Sequence, residues 1–322
     1  MSVNELIKEK IRQILPEVKL VMAWGKGYDA LHSTPLFIES EKDLDKLEIG
    51  PCSVQNLASY LLDFNAQNIK VGIVVKGCDS RSVVAQIQET LVKRENVVII
   101  GFPCDGVIDL SKVESALPKQ QAEIQAVDKK GDELIIKLKD SELKLNWDSV
   151  RANRCASCAY PNAIISDHFV GIQKAAQPSD ASKNNILAVL EAKSPAELME
   201  FWKKEMERCI RCYACRNACP LCACKEHCVA QSREPHWLSQ EDSVTDKWFF
   251  QVIHATHLAG RCTGCGECQR ACPMNIPVGL FKMKFNSIIK ELFDYEAGVD
   301  IDANPPLQTF SLEEKKIKER NW

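Results

Sequence analysis

The sequence predicts two units of different class, an α/β N-terminal domain followed by an all-α C-terminal domain. Three observations carry this. In the first third of the chain, strand-like and helix-like apolar patterns alternate. From Pro195 onward the apolar positions recur at helical spacing, through Met199, Phe201 and Trp202. Two cysteine runs of identical spacing interrupt that helical half: Cys209, Cys212, Cys215 and Cys219 before Pro220, and Cys262, Cys265, Cys268 and Cys272 before Pro273.

The elements follow in order. Residues 4–14 repeat Leu6, Ile7, Ile11 and Ile14 at helical spacing, and residues 19–24 read as a strand. Residues 54–63 look helical. Val71–Val75 and residues 97–100 are continuous apolar, β-branched runs, the mark of buried strands. Residues 82–93 between them read as a helix, so the unit is βαβ with parallel strands and a right-handed crossover. Residues 123–147 alternate polar and apolar around Lys130-Gly131-Asp132, which predicts a hairpin or small meander, read as an ordinary solvent-facing sheet. The domain plan is 1–175 α/β, 176–196 connector, 197–295 helical and 296–322 tail. The charged segment 313–320 is a solvated helix or tail, and 246–258, inside the long insert from Pro220 to Arg261, is helical.

Composition narrows the function. The formal charge is −3 with no long basic run, which excludes nucleic acid as a natural partner. No apolar run approaches the ~20 residues of a membrane span. The first residues, MSVNELIKEKIRQIL, lack the apolar core of a signal peptide. Sixteen cysteines without such a signal imply a reducing, cytoplasmic setting and metal ligation over disulfides.

Each cysteine run reads C-x2-C-x2-C-x3-C-P, the spacing that wraps a 4Fe–4S cubane, with the fourth cysteine serving the other run's cluster. One cluster is thereby assigned to Cys209, Cys212, Cys215 and Cys272, and a second to Cys262, Cys265, Cys268 and Cys219. The C-terminal domain is thus ferredoxin-type, and the chain reads as an electron carrier. Two clusters at −2 each would take the formal charge to about −7, suited to docking on basic partner surfaces. The proline after each run cannot continue a helix interior. Gly264 and Gly266 admit close backbone approach to the sulfurs, where N–H donors raise the reduction potential. A zinc-stabilised scaffold is the competing structural reading, but zinc typically uses paired C-x2-C knuckles.

Cys78 follows the first parallel strand and Cys104 the second, so both face the carboxyl edge of the sheet, where ligands bind. With the pair Cys155 and Cys158 they suggest a third 4Fe–4S cluster, against the alternative that they are small buried apolar residues. Asp79 or Ser80 would cap the helix after Cys78. Gly77, Asp79, Ser80 and Arg81 at that helix start would cradle a cofactor phosphate or steady an anionic cluster. Cys52, Cys222, Cys224 and Cys228 remain. They form either a fourth centre, completed by Cys52 or a histidine, or packing beside the first cluster. His254 and His257 read as ordinary helix residues, and Trp237, Trp248, Phe249 and Phe250 as core.

Lys76-Gly77-Cys78-Asp79-Ser80-Arg81, Gly101-Phe102-Pro103-Cys104, Cys155-x2-Cys158 and Ser166–Gly171 together resemble the β-subunit family of deazaflavin-coenzyme-reducing hydrogenases and formate dehydrogenases. The long helical insert between the cluster motifs resembles the α-helical ferredoxin domains of heterodisulfide-reductase complexes. The first resemblance implies FAD and iron–sulfur cofactors, a bound flavin converting electron pairs to single electrons. Here the paired-cluster segment follows the family domain instead of preceding it. Together the likenesses imply an electron-transfer subunit of an anaerobic redox complex. It would relay electrons between a formate dehydrogenase or hydrogenase subunit and a heterodisulfide-reductase-type flavoprotein. The alternative is a flavin-dependent reductase of a soluble deazaflavin or nicotinamide coenzyme.

Overall fold

A computed structural model describes residues 2–118, 123–156, 158–175, 186–224, 227–231, 238–239, 241–310 and 312–313. The first ten residues of the connector, most of the charged segment 313–320 and Trp237 lie outside the described residues. The N-terminal helix α1, Val3–Ile14, starts where the Ser2 hydroxyl accepts the Glu5 N–H. Its buried Ile7, Ile11 and Ile14 form one stripe against a five-stranded sheet. The strands of that sheet are β1 (Val21–Lys26), β2 (Ser33–Ile38), β3 (Val71–Val75), β4 (Val97–Gly101) and β8 (His168–Phe169), in the order β2-β1-β3-β4-β8. β2 is antiparallel to β1, and the other pairs are parallel. Every residue of β3 and β4 is buried, as an unbroken apolar run requires of strands covered on both faces.

Two helices differ from expectation. Residues 54–63 divide into a 3-10 turn, Leu57–Tyr60, and the short helix α2, Leu61–Ala66, because the Asn56 side chain takes the Ala58 N–H and starts a tight turn there. The helix expected at 82–93 is α3, Gly77–Gln88. It begins one residue after the strand's extended exit, with the Asp79 carboxylate accepting the Lys76 N–H at 3.2 Å. Cys78 therefore lies in the first helical turn.

After α4, Leu110–Ala116, the strands β5 (Ile124–Lys130), β6 (Glu133–Leu138) and β7 (Glu142–Asn146) form a separate antiparallel meander. Gly131 takes the left-handed φ of +55° in the first turn. One face meets solvent. The other carries Leu134, Ile136 and Leu138 into a second core with Val113 and Val150, so the sheet is more than an outer cover. The one-turn helices α5, Trp147–Val150, and α6, Asn153–Ala156, lead the chain back to the main sheet edge.

The described elements from Ile186 to Phe293 are helices: α7 (Ile186–Glu191), α8 (Pro195–Glu207), α9 (Ala214–Asn217), α10 (Val244–His257), α11 (Glu267–Arg270) and α12 (Gly279–Phe293). Trp202 of α8 stacks on Phe281 of α12 at 3.9 Å, and Phe250 of α10 fills the centre. Trp248 packs at the margin of this core, while Phe249 is exposed on the other side of its helix. Among the described residues no helix is long and apolar enough to cross a membrane.

Helix α3 is shared by both halves. Ser82 Oγ lies 3.1 Å from Thr263 Oγ1, and Gln86 donates to the Pro220 carbonyl at 2.8 Å. Arg81 donates to the Ala297 carbonyl at 2.8 Å, and Gln88 to that of Ala303. Residues 296–303, assigned to a tail by sequence, thus pack on α3. Gly298 is required there because a Cβ would meet the Arg81 carbonyl at 2.2 Å.

Candidate metal centres

The two cysteine runs fold alike. In the first, Arg211 and Tyr213 take left-handed φ values of +49° and +59° on either side of Cys212, and α9 follows. In the second, Gly264 and Gly266 do the same at +70° and +72° around Cys265, and α11 follows. The reversal at each flank wraps the chain around a common centre. Glycine takes this conformation freely, whereas Arg211 and Tyr213 hold it at a cost of about 1–2 kcal/mol each. A Cβ on Gly264 would meet nothing within 4 Å, so the need there is for φ alone. Its N–H donates to Cys262 Sγ at 3.4 Å.

Cys209, Cys212, Cys215 and Cys272 line one small cavity with Phe250, Gln251 and Ile276. Cys272 thus reaches across from the second run to join the first three. Burial raises the Cys209 thiol, and Cys272 and Cys212 raise it further. In the other set, Cys219 pushes up all three of Cys262, Cys265 and Cys268, on top of burial, and Cys262 reaches about 11. The Cys219 thiol is raised first by its hydrogen bond with Cys222, then by burial. Thiols held this high ionise only beside a strong positive charge, which iron supplies. Among the described residues no group of three or more His, Cys, Asp or Glu side chains converges as on a single metal ion. A cubane does not ask for that, since its iron–sulfide body holds the terminal thiolates apart.

The strand-end cysteines also meet. Cys78 leaves the start of α3 and Cys104 the end of β4. Burial raises both thiols, Cys104 to about 12, and Cys104 adds to the rise at Cys78, as Cys155 does at Cys104 and Cys158. The Cys104 N–H is fixed by the Pro161 carbonyl at 2.7 Å, and its Sγ accepts the Gly106 N–H at 3.3 Å. Lys76 is buried beside them. Its ammonium pairs with Asp79 at 3.1 Å, donates to the carbonyls of Ser53 and Gln55, and lies 3.7 Å above the Trp24 ring.

A cavity of about 350 Å³ opens next to this group, between the sheet edge and the β5–β7 meander. Lys26, His32, Cys52, Lys76, Cys104 and Lys129 are among its lining. The four residues read as a phosphate cradle lie elsewhere, and none of them lines it. Gly77 is closed over by the Tyr160 and Asn162 carbonyls, and Asp79 holds Lys76. Ser80 Oγ donates to the Gly77 carbonyl and accepts the Ile164 N–H, while Arg81 binds Glu296 and stacks on Tyr160.

The leftover cysteines are dispersed. Cys52 belongs to the second core and the cavity wall, Cys224 is exposed, and Cys228 packs on the helical core. Cys222 lies beside Cys219 and Cys262, its Sγ 3.3 Å from Nε2 of buried His254. The structure does not bring Cys52 to Cys222. It does bring in three residues that the sequence reading passed over. Gln251 donates to Cys215 Sγ at 3.7 Å, and Lys282 lies 3.4 Å from His254 Nδ1. Arg154 donates to the Val54 carbonyl at 2.9 Å and runs past Gly266, where a Cβ would sit 2.6 Å from its Cδ. Only the position of Arg154, next to Cys155, offered a signal in the sequence.

Residues 69–187 match the family described as the C terminus of the beta subunit of coenzyme F420 hydrogenase/dehydrogenase, and residues 205–276 match the 4Fe-4S dicluster domain. The chain joins these two domains. The dicluster match spans the first three cysteines of both runs and both fourth cysteines. The F420-dependent formate dehydrogenase subunit beta of Methanocaldococcus jannaschii is 26% identical over 356 aligned positions, covering 91% of this chain and 90% of that protein. The F420-dependent formate dehydrogenase 1 subunit beta of Methanococcus maripaludis is 25% identical, covering 89% and 88%. A chain of the F420-reducing NiFe hydrogenase complex from Methanosarcina barkeri aligns over 51% of this chain and 60% of that one, at 13% identity and a TM-score of 0.41. That likeness is too slight to carry an argument. Iron–sulfur chemistry of the 4Fe–4S type follows from the dicluster domain and its cysteines.

Proposed function

We propose that the chain is the iron–sulfur electron-transfer β subunit of a formate dehydrogenase or hydrogenase complex, and that it holds three cubanes in line. The strand-end set, Cys78, Cys104, Cys155 and Cys158, is one end. The set of Cys262, Cys265, Cys268 and Cys219 is the middle, and the set of Cys209, Cys212, Cys215 and Cys272 the far end. The observation that carries this order is Arg154. Its side chain spans from Cys155 to the turn at Gly266; burial lowers its pKa, and Cys155, Glu267, Cys78 and Cys265 raise it. A guanidinium between the first two centres keeps them adjacent across the domain boundary. The far end reaches the surface at Cys212 and at Ile210, 61% exposed. There we expect the redox partner, a heterodisulfide-reductase-type flavoprotein by the ferredoxin-domain resemblance.

A flavin reading is favoured by the cavity beside Cys104. Its volume suits a fused-ring cofactor, and its lining is polar and of mixed charge, with Lys26, Lys76 and Lys129 set against Asp29, Glu48, Asp105 and Asp128. FAD bound there would exchange electron pairs with a soluble deazaflavin or nicotinamide coenzyme and single electrons with the strand-end centre. Lys76 stands at that junction, its side chain fixed by Asp79 and two carbonyls.

Anaerobic purification of the full chain with iron, sulfide and flavin counted per chain tests both readings. We expect about twelve irons, at four per cubane, with spectra bleached by dithionite. Eight irons would remove the strand-end centre. Colourless protein, or protein carrying zinc, would overturn the function. Absence of flavin would remove the coenzyme-reductase reading alone.

A further inference from the structure

The two cysteine sets of the dicluster domain share one buried cation. Lys282 lies on α12 and is 3% exposed. Its Nζ stands 3.4 Å from Nδ1 of His254, itself 2% exposed on α10, and the other ring nitrogen of His254 is 3.3 Å from Cys222 Sγ. Cys222 is tied to one set by its N–H to the Cys219 carbonyl at 3.2 Å. One turn earlier on α10, Gln251 reaches Cys215 of the other set. One turn later on α12, Asn286 donates to the Cys262 carbonyl at 2.9 Å. The two helices therefore hold Lys282 Nζ where the loops of both runs meet. An ammonium buried this deeply needs negative partners. Burial lowers the pKa of Lys282, and the nearby sulfurs of Cys268, Cys262, Cys219 and Cys215 raise it.

We propose that Lys282 is a tuning residue: its fixed positive charge lies between the two clusters of the dicluster domain and raises the reduction potential of both. A cluster gains one negative charge on reduction, and a nearby cation in a low-dielectric interior favours that state. The inference rests on the two-cluster reading of the dicluster domain.

The test uses the full chain, purified anaerobically, as wild type, Lys282→Met and Lys282→Arg. Iron is counted and potentials are read by titration followed by electron paramagnetic resonance. Lys282→Met should shift both dicluster signals to lower potential, so that at a fixed reducing potential the reduced fraction of each falls several-fold. The strand-end signal should stay in place, and Lys282→Arg should titrate like wild type. If Lys282→Met fails to load iron while Lys282→Arg loads it, the residue serves cluster assembly and the tuning proposal is overturned. Wild-type potentials in iron-loaded Lys282→Met would overturn it. So would an equal fall in Lys282→Arg, or loss of iron in both variants, which would assign the residue to packing. Wild-type protein with fewer than about eight irons would instead refute the two-cluster reading, before any variant is made.

Discussion

Gly77→Ala is the sharpest perturbation the structure offers. An ideal Cβ at this position would lie 1.9 Å from the Tyr160 carbonyl oxygen and 2.8 Å from that of Asn162. Both obstacles are backbone, so no side-chain rotation relieves them. Restoring ordinary contact requires the segment around Tyr160, or the start of α3, to retreat by about 1.5 Å, an overpacking cost of about 1–3 kcal/mol. For a domain of this size that lowers Tm by about 2–12 °C. The displacement falls on both sides of the strand-end centre, because Cys78 follows Gly77 and Cys158 precedes Tyr160 by two residues. We therefore expect Gly77→Ala to lose about four of its irons, one cubane, while keeping the dicluster signals. Iron counting, electron paramagnetic resonance and thermal unfolding of anaerobic protein read all three effects. Gly50→Ala is the control, since a Cβ there meets nothing within 4 Å. Gly77→Ala protein with wild-type iron and wild-type Tm would refute the reasoning.

The remaining predictions concern the dicluster domain and its seam. Cys272→Ala should remove the cluster of Cys209, Cys212 and Cys215, and Cys219→Ala that of Cys262, Cys265 and Cys268; the opposite pattern in the resonance spectra would mean the fourth cysteines are not exchanged. Cys52→Ala and Cys224→Ala should keep the full iron count of about twelve, and a fall to about eight in either would make that residue a ligand. Gln251→Leu removes the N–H aimed at Cys215, and should lower the potential of that cluster while leaving the middle one in place. Arg261 forks onto Glu89 across the two halves and donates to the Leu221 carbonyl at 3.0 Å within its own. Arg261→Ala should cost about 2 kcal/mol in urea unfolding, a buried-pair loss reduced by partial exposure, and should be less than additive with Glu89→Ala.

Much of the fold was legible because its signals are local. The stripe of Ile7, Ile11 and Ile14 and the unbroken β3 and β4 runs state their own environment, and they recur as a covered helix and two buried strands. The start of α3 was misread. The sequence offers Asp79 or Ser80 as the cap, but the strand's exit and the Lys76–Asp79 contact start the helix at Gly77, so both lie inside its first turn. The meander was read as an outer sheet because alternation reports one wet face but not what the dry face covers, here a second core and a cavity wall. The phosphate cradle at Gly77–Arg81 failed to meet the cavity for the same reason: the motif specifies a helix start, and the loop 160–164 closes over it.

By itself the sequence determined the chemistry. Cysteine spacing sets which sulfurs a short loop can turn toward one centre, and that depends on bond geometry within a few residues. Only the tertiary structure decided which charged groups stand beside those cysteines. Arg154 beside Gly266 and Lys282 beside His254 are residues far apart in the chain, brought together by the packing of the two halves and of α10 on α12. Charge acts through space, falling with distance and with the polarity of what lies between, so its partners cannot be read from order along the chain.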